Sequence, residues 1–383
     1  MTAILTEEQR LIQKTARDFS RARLRPGAEA REVAGRIEPE ILSEMAELGF
    51  LGMTVPEAQG GIGADYVSYA LALMEIAAGD GAISTMMSVH NAPFCAILSR
   101  FASSEQQARW LLPAAEGKYI GAFALTEPHT GSDAAAIRSS AERTASGYLL
   151  NGSKQFITSA RIAGGVIAFA VTDRSAGKKG ISAFFLEPGI PGLVVGEPER
   201  KLGQKASDTC MLSFENLDVP AFNLIGNEGQ GLSIALSSLE TGRIGIASQS
   251  VGMAQAALEI AVDYAQDRVA FGTPIAQHQA VAFRLADMDM QVEAARQLVL
   301  NAARMKDAGL PCLREASIAK LFASQMAERV VSDAIQTLGG YGYLADFPLE
   351  RIYRDVRVCQ IYEGTSDVQR INISRELFGG RSK

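Results

Sequence analysis

The apolar residues of this 383-residue chain change period twice, and that double switch limits its fold more than any other feature. Up to about residue 120 they recur at helical spacing, and the runs 7–23, 40–48, 66–78, 84–101 and 104–115 each read as a helix. In Tyr66-Val67-Ser68-Tyr69-Ala70-Leu71-Ala72-Leu73 apolar groups lie on nearly all sides, which suits a helix buried between others. Beyond residue 120 the runs shorten to 165–171, 181–186, 193–195 and 210–214, bounded by Gly, Pro and Asp, and Asn151-Gly152 supplies a hairpin signal. Long helical periods return over 232–266, 276–306 and 313–336. The expectation is an α+β multidomain chain, with an N-terminal α-helical bundle over 1–120, a middle antiparallel β domain over 121–230 and a C-terminal α-helical bundle over 231–383.

At 47% hydrophobic and 21% charged, the chain has material for a large core. A net charge of -6 without a basic stripe argues against nucleic acid as a partner. The stretch 81–99 has no Asp, Glu, Lys or Arg, yet His90, Asn91, Pro93 and its serines make it too polar for a membrane span. Thr6 with Gln9 reads as a helix start, with no targeting segment visible before it. The scattered cysteines Cys95, Cys210, Cys312 and Cys359 suggest reduced thiols in a cytoplasmic protein. His90, His129 and His278 are too few for a histidine-based metal site, so no metal is expected.

Candidate site residues gather in a few segments. Near the end, Glu363-Gly364 interrupts the buried pattern of Val356, Val358 and Ile361; Thr365 or Ser366 can cap a new helix, Gln369 completing a capping box with Ser366. Gly364 lets the backbone turn sharply, so Glu363 is either a base on a fixed loop or a surface glutamate before a cap. In 124–133 the hydroxyls of Thr126, Thr130 and Ser132 surround Gly131, an arrangement suited to a phosphate, a ring edge or an ordinary polar turn. Phe156 and Thr158 lie on one side of an expected strand, where they can cover a flat heterocycle and bond to its edge. Arg243, in an apolar helical stretch, needs an acidic side chain or an anionic ligand. The fork of Arg268 suits a pyrophosphate, and Phe271, Gly272, Pro274, His278 and Gln279 follow it. After Gln336 the glycines Gly339, Gly340 and Gly342 break a helix and admit backbone contact with a ligand, or simply stop the helix.

Four of these motifs, in this order, resemble the acyl-CoA dehydrogenase family over nearly the whole chain. They are the run 124–133, Arg268-x-x-Phe271-Gly272-x-Pro274, Gln336-x-x-Gly339-Gly340-x-Gly342 followed by Asp346, Arg351 and Asp355, and Ile361-Tyr362-Glu363-Gly364-Thr365. Short- and medium-chain members are the most similar. The resemblance implies an FAD between the β domain and the C-terminal helices of a homotetramer. Phe123, Leu125, Thr126, Gly131 and Ser132 would line the flavin, Ser132 also meeting the CoA portion. Phe156 and Thr158 would flank the isoalloxazine ring, Phe156 standing where many relatives have tryptophan. Arg268, Phe271, His278, Gln279, Gln336 and Gly340 of an adjoining subunit, with Gly339 beside them, would hold the pyrophosphate and adenosine, and Thr365 and Asp367 would complete the cofactor contacts.

By the same resemblance Glu363 would remove the α-proton of a short- or medium-chain acyl-CoA thioester while flavin N5 accepts the β-hydride, leaving trans-2-enoyl-CoA. Glu240, Arg243 and Gly364 would stand at the substrate. Some relatives carry the base immediately before the arginine, where this chain has Gly242, which cannot act. The implied electron acceptor is an electron-transfer flavoprotein. An acyl-CoA oxidase on the same fold and a non-catalytic flavin- or CoA-ester-binding scaffold are the alternatives.

Overall fold

A computed structural model describes residues 5–379. Helix α1 (Glu7–Phe19) opens on the Thr6–Gln9 capping box and continues through a π turn, Ser20–Leu24, into α2 (Arg25–Ala34), farther than the expected 7–23. After α3 (Pro39–Glu47) comes α4 (Tyr66–Gly79), capped by Asp65, whose carboxylate accepts from Ser68 N at 2.6 Å. The helices α5 (Gly81–Val89) and α6 (Ala96–Phe101) flank a π turn, His90–Cys95, that accommodates Pro93. Then α7 (Ser104–Gln106) and α8 (Leu112–Ala115) close the first helical region. His90 is a neutral crossbrace here: Nδ1 accepts from Gly121 N at 3.0 Å, Nε2 donates to Ala114 O at 3.1 Å, and burial pushes the ring down to about 4.

The strands are β1 (Ile120–Ala124), β2 (Ser140–Arg143), β3 (Gly147–Thr158), β4 (Ala163–Val171), β5 (Ile181–Leu186), β6 (Leu193–Val195), β7 (Thr209–Pro220) and β8 (Leu224–Ile225). They form one sheet in the order β6-β7-β3-β2-β4-β5-β8, with β1 beside β4. The sheet is mixed where an antiparallel one was expected, because β1 and β2 both run parallel to β4 while the other pairings are antiparallel. β1 arrives from a helix rather than from a hairpin, so no tight turn imposes the antiparallel direction on it.

Asn151-Gly152 makes no turn either. It lies within β3 at a bulge against β7, where Asn151 Oδ1 accepts from Asn216 N at 2.9 Å and a Cβ on Gly152 would come within 2.7 Å of Ser139 Cα. The tight connection is at 144–146, where Thr144 N donates to Gly147 O at 2.9 Å. β3 has ladder partners on both sides, and these override the local turn preference.

The C-terminal region is built on α9 (Gly231–Asp267), a helix of 37 residues. A Cβ on its Gly252 would collide with Met74 O, so glycine lets α9 and α4 touch backbone to backbone. A small hairpin, β9 (Val269–Ala270) and β10 (Thr273–Pro274), leads to α10 (Gln279–Asp307) and α11 (Leu313–Leu338), followed by α12 (Leu349–Val356) and α13 (Ser366–Leu377). The core shared by α4, α9, α10 and α11 includes Leu71, Met74, Val251, Val292, Val299, Met326 and Val330. No described helix is long and apolar enough to cross a membrane.

One buried ion pair ties the N-terminal helices together. Arg31, 2% exposed, donates to Asp80 Oδ2 at 2.8 Å, while Asp80 Oδ1 caps α5 by accepting from Ala82 N at 2.9 Å. Arg31→Met strands that carboxylate and is expected to cost about 3–5 kcal/mol of stability, read from the denaturation midpoint.

Candidate active site

Between the turn Arg357–Gln360 and α13 the chain reverses through Glu363 (φ 55°) and Gly364 (φ 88°). Glycine tolerates this left-handed conformation, but a glutamate there loses about 1–2 kcal/mol, so its neighbours must hold it. Gln369 Nε2 donates to Glu363 O at 3.3 Å and to Gly364 O at 2.8 Å. Lys320 Nζ, from α11, donates to Gly364 O at 2.7 Å. The expected Ser366–Gln369 capping box does not form because the Gln369 amide is drawn to the corner; Thr365 alone caps α13, accepting from Val368 N at 3.3 Å.

The corner aims the Glu363 carboxylate at α9. A Cβ on Gly242 would overlap Oε2 and come within 2.9 Å of Cδ, so the carboxylate fills space that any side chain at 242 would take. Oε2 is buried without a hydrogen-bond partner among the described residues, and so are Nε and Nη1 of Arg243, which is 5% exposed. Burial pushes the Glu363 carboxyl up to about 7, against the opposing pull of Arg243 and Lys320. Burial also lowers Arg243, and brings Lys320 down to about 8, with Glu363 resisting both shifts. The acidic group that Arg243 requires is therefore nearby but not hydrogen-bonded to it. A carboxylate poised near neutrality with an unmade bond is suited to taking a proton from a ligand.

Behind the corner several elements converge. Tyr362 OH donates to Gln249 Oε1 at 2.6 Å and lies 3.2 Å from Thr85 Oγ1, and Gln249 Nε2 donates to Gly81 O at 2.9 Å. Thr85 Oγ1 donates to Gln204 Oε1 at 2.5 Å, and Gln204 Nε2 to Asp355 O at 3.1 Å. Burial pushes the Asp355 carboxyl up to about 7, opposed by the Gln204 amide that donates to it. Sequence reasoning missed Lys320, Gln249 and Gln204, and gave Gln369 only as half of a capping box. For Lys320 a signal existed: it is the one charge on the small-residue stripe Ala316, Ala319, Ala323 and Ala327 of α11.

Other expected residues take separate positions. Lys154 and Glu127, 0% and 3% exposed, pair at 2.7 Å; Lys154 Nζ also donates to Leu125 O at 3.2 Å, and Glu127 accepts from Ser139 N at 3.0 Å. This pair anchors Leu125 and Thr126 below an exposed turn that carries Gly131 and Ser132. Phe123 is half-buried, edge-on to Phe169 at 5.2 Å. Phe156 stands at a bulge with φ 60° and is 62% exposed, and half-buried Thr158 emerges beyond it, opposite buried Ile157. Ser159 Oγ and Ser366 Oγ are buried without partners among the described residues. Glu240 is engaged elsewhere, by Lys306 Nζ at 2.9 Å and Cys312 Sγ at 3.4 Å. Asp367 is exposed and accepts from Arg370 at 2.9 Å.

A second group lies around the β9–β10 hairpin. The Arg268 guanidinium sits 5.9 Å from the Tyr341 ring and, with Gly339 and Gly340, lines an open groove of about 550 Å³. Gln336 is exposed at the end of α11, and Gln279 at the start of α10. Phe271, φ 54° and 97% exposed, tips the hairpin with the His278 ring 5.9 Å away. Among the described residues no hydrogen bond or ion pair links this group to the Glu363 corner.

Models of the acyl-CoA dehydrogenase N-terminal, middle and C-terminal domains match residues 6–118, 122–217 and 229–378. The mitochondrial short-chain specific acyl-CoA dehydrogenase of Bos taurus is 44% identical, over 98% of this chain and 91% of its own. The solved butyryl-CoA dehydrogenase of Megasphaera elsdenii superposes with a TM-score of 0.96 at 42% identity, covering 99% of this chain and 100% of that one. A chain from a structure described as the electron transferring flavoprotein of Acidaminococcus fermentans gives 0.97 at 43% identity, over 99% of this chain and 100% of its own.

The raised Glu363 carboxyl has a consequence for stability. Its penalty is absent below the ordinary value of 4.5, grows as pH rises, and is complete above about 7. Glu363→Gln is therefore expected to gain about 3 kcal/mol over the wild type between pH 4.5 and pH 8, read as the difference in unfolding free energy at the two pH values.

Proposed function

The chain belongs to the acyl-CoA dehydrogenase family, and from that premise we propose that Glu363 is the base that takes the α-proton of the substrate. The protein is an FAD-dependent oxidoreductase that converts a short-chain acyl-CoA thioester to its trans-2-enoyl-CoA. The relatives do not favour the oxidase or scaffold alternatives. The observation that carries the assignment is the carboxylate in the Gly242 niche, buried, unbonded at Oε2 and raised to about 7. A thioester α-hydrogen is weakly acidic, so its removal needs a base that is desolvated yet still ionised at working pH. Burial supplies the first condition, and the charges of Arg243 and Lys320 the second.

The residues present fit FAD. The exposed Phe156 ring offers a platform for a flat heterocycle, and Thr126, Ser132, Thr158 and the unpartnered Ser159 and Ser366 hydroxyls offer bonds to a polar edge. Phe123, Leu125 and Gly131 would lie along the same ligand. FAD bound there supplies the two-electron acceptor for the hydrogen that leaves the β-carbon. Gly364 and Arg243 would face the substrate, whereas Glu240, held by Lys306, would act at most through the structure.

We place Arg268, Phe271, His278, Gln279, Gln336, Gly339 and Gly340 against the cofactor of an adjoining subunit in a homotetramer. What supports this is Phe271, an aromatic 97% exposed in a left-handed conformation, together with the open groove beside Arg268 that suits a diphosphate. Thr365, already a helix cap, and Asp367 would complete the contacts. An electron-transfer flavoprotein as acceptor is supported by the likeness to the Acidaminococcus fermentans chain. A cytoplasmic location and the division at residues 120 and 230 belong to the same reading.

Glu363→Gln is expected to keep FAD and its yellow absorbance but to lose about 10³-fold or more in turnover of butyryl-CoA, followed as enoyl-CoA formation. Normal product formation would show that another group is the base. In the wild type, kcat/KM should climb with pH and level off above about 7. Arg268→Ala is expected to release FAD on dialysis; full occupancy after dialysis would count against its diphosphate role.

A further inference from the structure

Lys320 is 0% exposed in the N-terminal third of α11, and its ammonium has one hydrogen-bond acceptor among the described residues, Gly364 O at 2.7 Å. Burying an ammonium costs several kcal/mol, and a neutral amide can donate the same bond; Gln369, also 0% exposed, does so to the same oxygen at 2.8 Å. A hydrogen bond alone therefore does not account for a charged side chain at this position. The other feature beside this lysine is the carboxylate at the residue before Gly364, whose left-handed backbone is held from α11 and α13.

We propose that Lys320 is a positioning residue for the dehydrogenation: from α11 it clamps Gly364 O, fixes the reversed Glu363–Gly364 corner so that the carboxylate stays in the Gly242 niche, and lends that carboxylate a second buried positive charge beside Arg243. The inference rests on Glu363 being the base. Its geometry explains why the corner needs two donors on one carbonyl: Gln369 grips it from α13, which the corner itself starts, whereas Lys320 grips it from a helix packed in the main core. Of these two, the second registers Gly364 against the core that α11 shares with α9, on the far side of the corner from the Tyr362–Gln249 bond to α9. The titratable groups that face Lys320 are Cys359, Glu363 and Arg243, and Glu363 in turn faces Arg243, Lys320 and Tyr69. Of the two cations, Arg243 makes no bond to the corner through Nε or Nη1, so the mechanical part of the task falls to Lys320.

Lys320→Met and Lys320→Gln holoenzymes, assayed with butyryl-CoA beside the wild type and Glu363→Gln, test this. The expected result for either Lys320 variant is a fall in kcat of about tenfold or more with KM changed by less than about threefold. Loss of the positive charge disfavours the carboxylate, so the acid limb of kcat/KM should move about half to one unit towards higher pH. By hydrogen exchange, the amides of residues 361–366 should open faster in Lys320→Met, which has no donor for Gly364 O, while those of α9 are unchanged. A purely structural lysine would lower stability and leave the acid limb in place. If Lys320→Met folds with wild-type kcat, acid limb and exchange at the corner while Glu363→Gln is inactive, the clamp is overturned and the base assignment stands. If Glu363→Gln itself turns over normally, the base assignment fails first. Should Lys320→Met not fold, Lys320→Gln, which keeps a donor and lacks the charge, is read through kcat and the acid limb, and wild-type values of both overturn the proposal.

Discussion

The Glu363 carboxylate sits where the side chain of residue 242 would otherwise be, and the rest of the site is arranged to keep it there. A charged group in such a niche is unfavourable on its own: Oε2 is buried without a partner, and the backbone that delivers it is left-handed. The compensation is spread over three helices. α9 contributes the missing side chain at Gly242 and the cation at Arg243, α11 contributes Lys320, and α13 contributes Gln369. Two nearby cations keep the carboxyl from rising as far as burial alone would take it, which leaves it close to neutrality.

That balance explains why the site lies at a junction and not within one unit. Gln204 from the loop before β7, Thr85 and Gly81 from α5, Gln249 from α9 and Asp355 from α12 meet around the Tyr362 hydroxyl. These contacts are between uncharged donors and acceptors apart from Asp355, whose own carboxyl is pushed up to about 7 by burial. The residue next to Glu363 is thus braced by polar groups that leave the charge environment of the carboxylate to Arg243 and Lys320. A network in which every member bonds to another is rigid, and a carboxylate placed by it can stay in a strained conformation.

Much of this was legible in the chain itself, because the signals were local. The helical periods around 232–266, 276–306 and 313–336 correspond to α9, α10 and α11 within a few residues, and Glu363-Gly364 marked the corner through a broken apolar pattern. What escaped was decided by contacts that the local pattern does not carry. Asn151-Gly152 has turn chemistry, yet strands on both sides hold it straight through a bulge. Gln369 was legible as half of a capping box, but carbonyls at 363 and 364 compete for its amide and win. Gly242 read as a position unable to supply a base; only the folded chain shows that its emptiness makes room for the Glu363 carboxylate. Lys320 carried a weak sign, a single charge on a stripe of alanines, whose meaning depended on an oxygen 44 residues away.

The central claim is that the base works because position 242 has no side chain. It is tested most directly by anaerobic stopped-flow mixing of the Gly242→Ala holoenzyme with butyryl-CoA, following the loss of flavin absorbance. The account predicts that this variant folds and stays yellow, and that bleaching slows by about a hundredfold because the added methyl displaces the carboxylate. Bleaching at the wild-type rate, with a methyl group in the space assigned to Oε2, would contradict it.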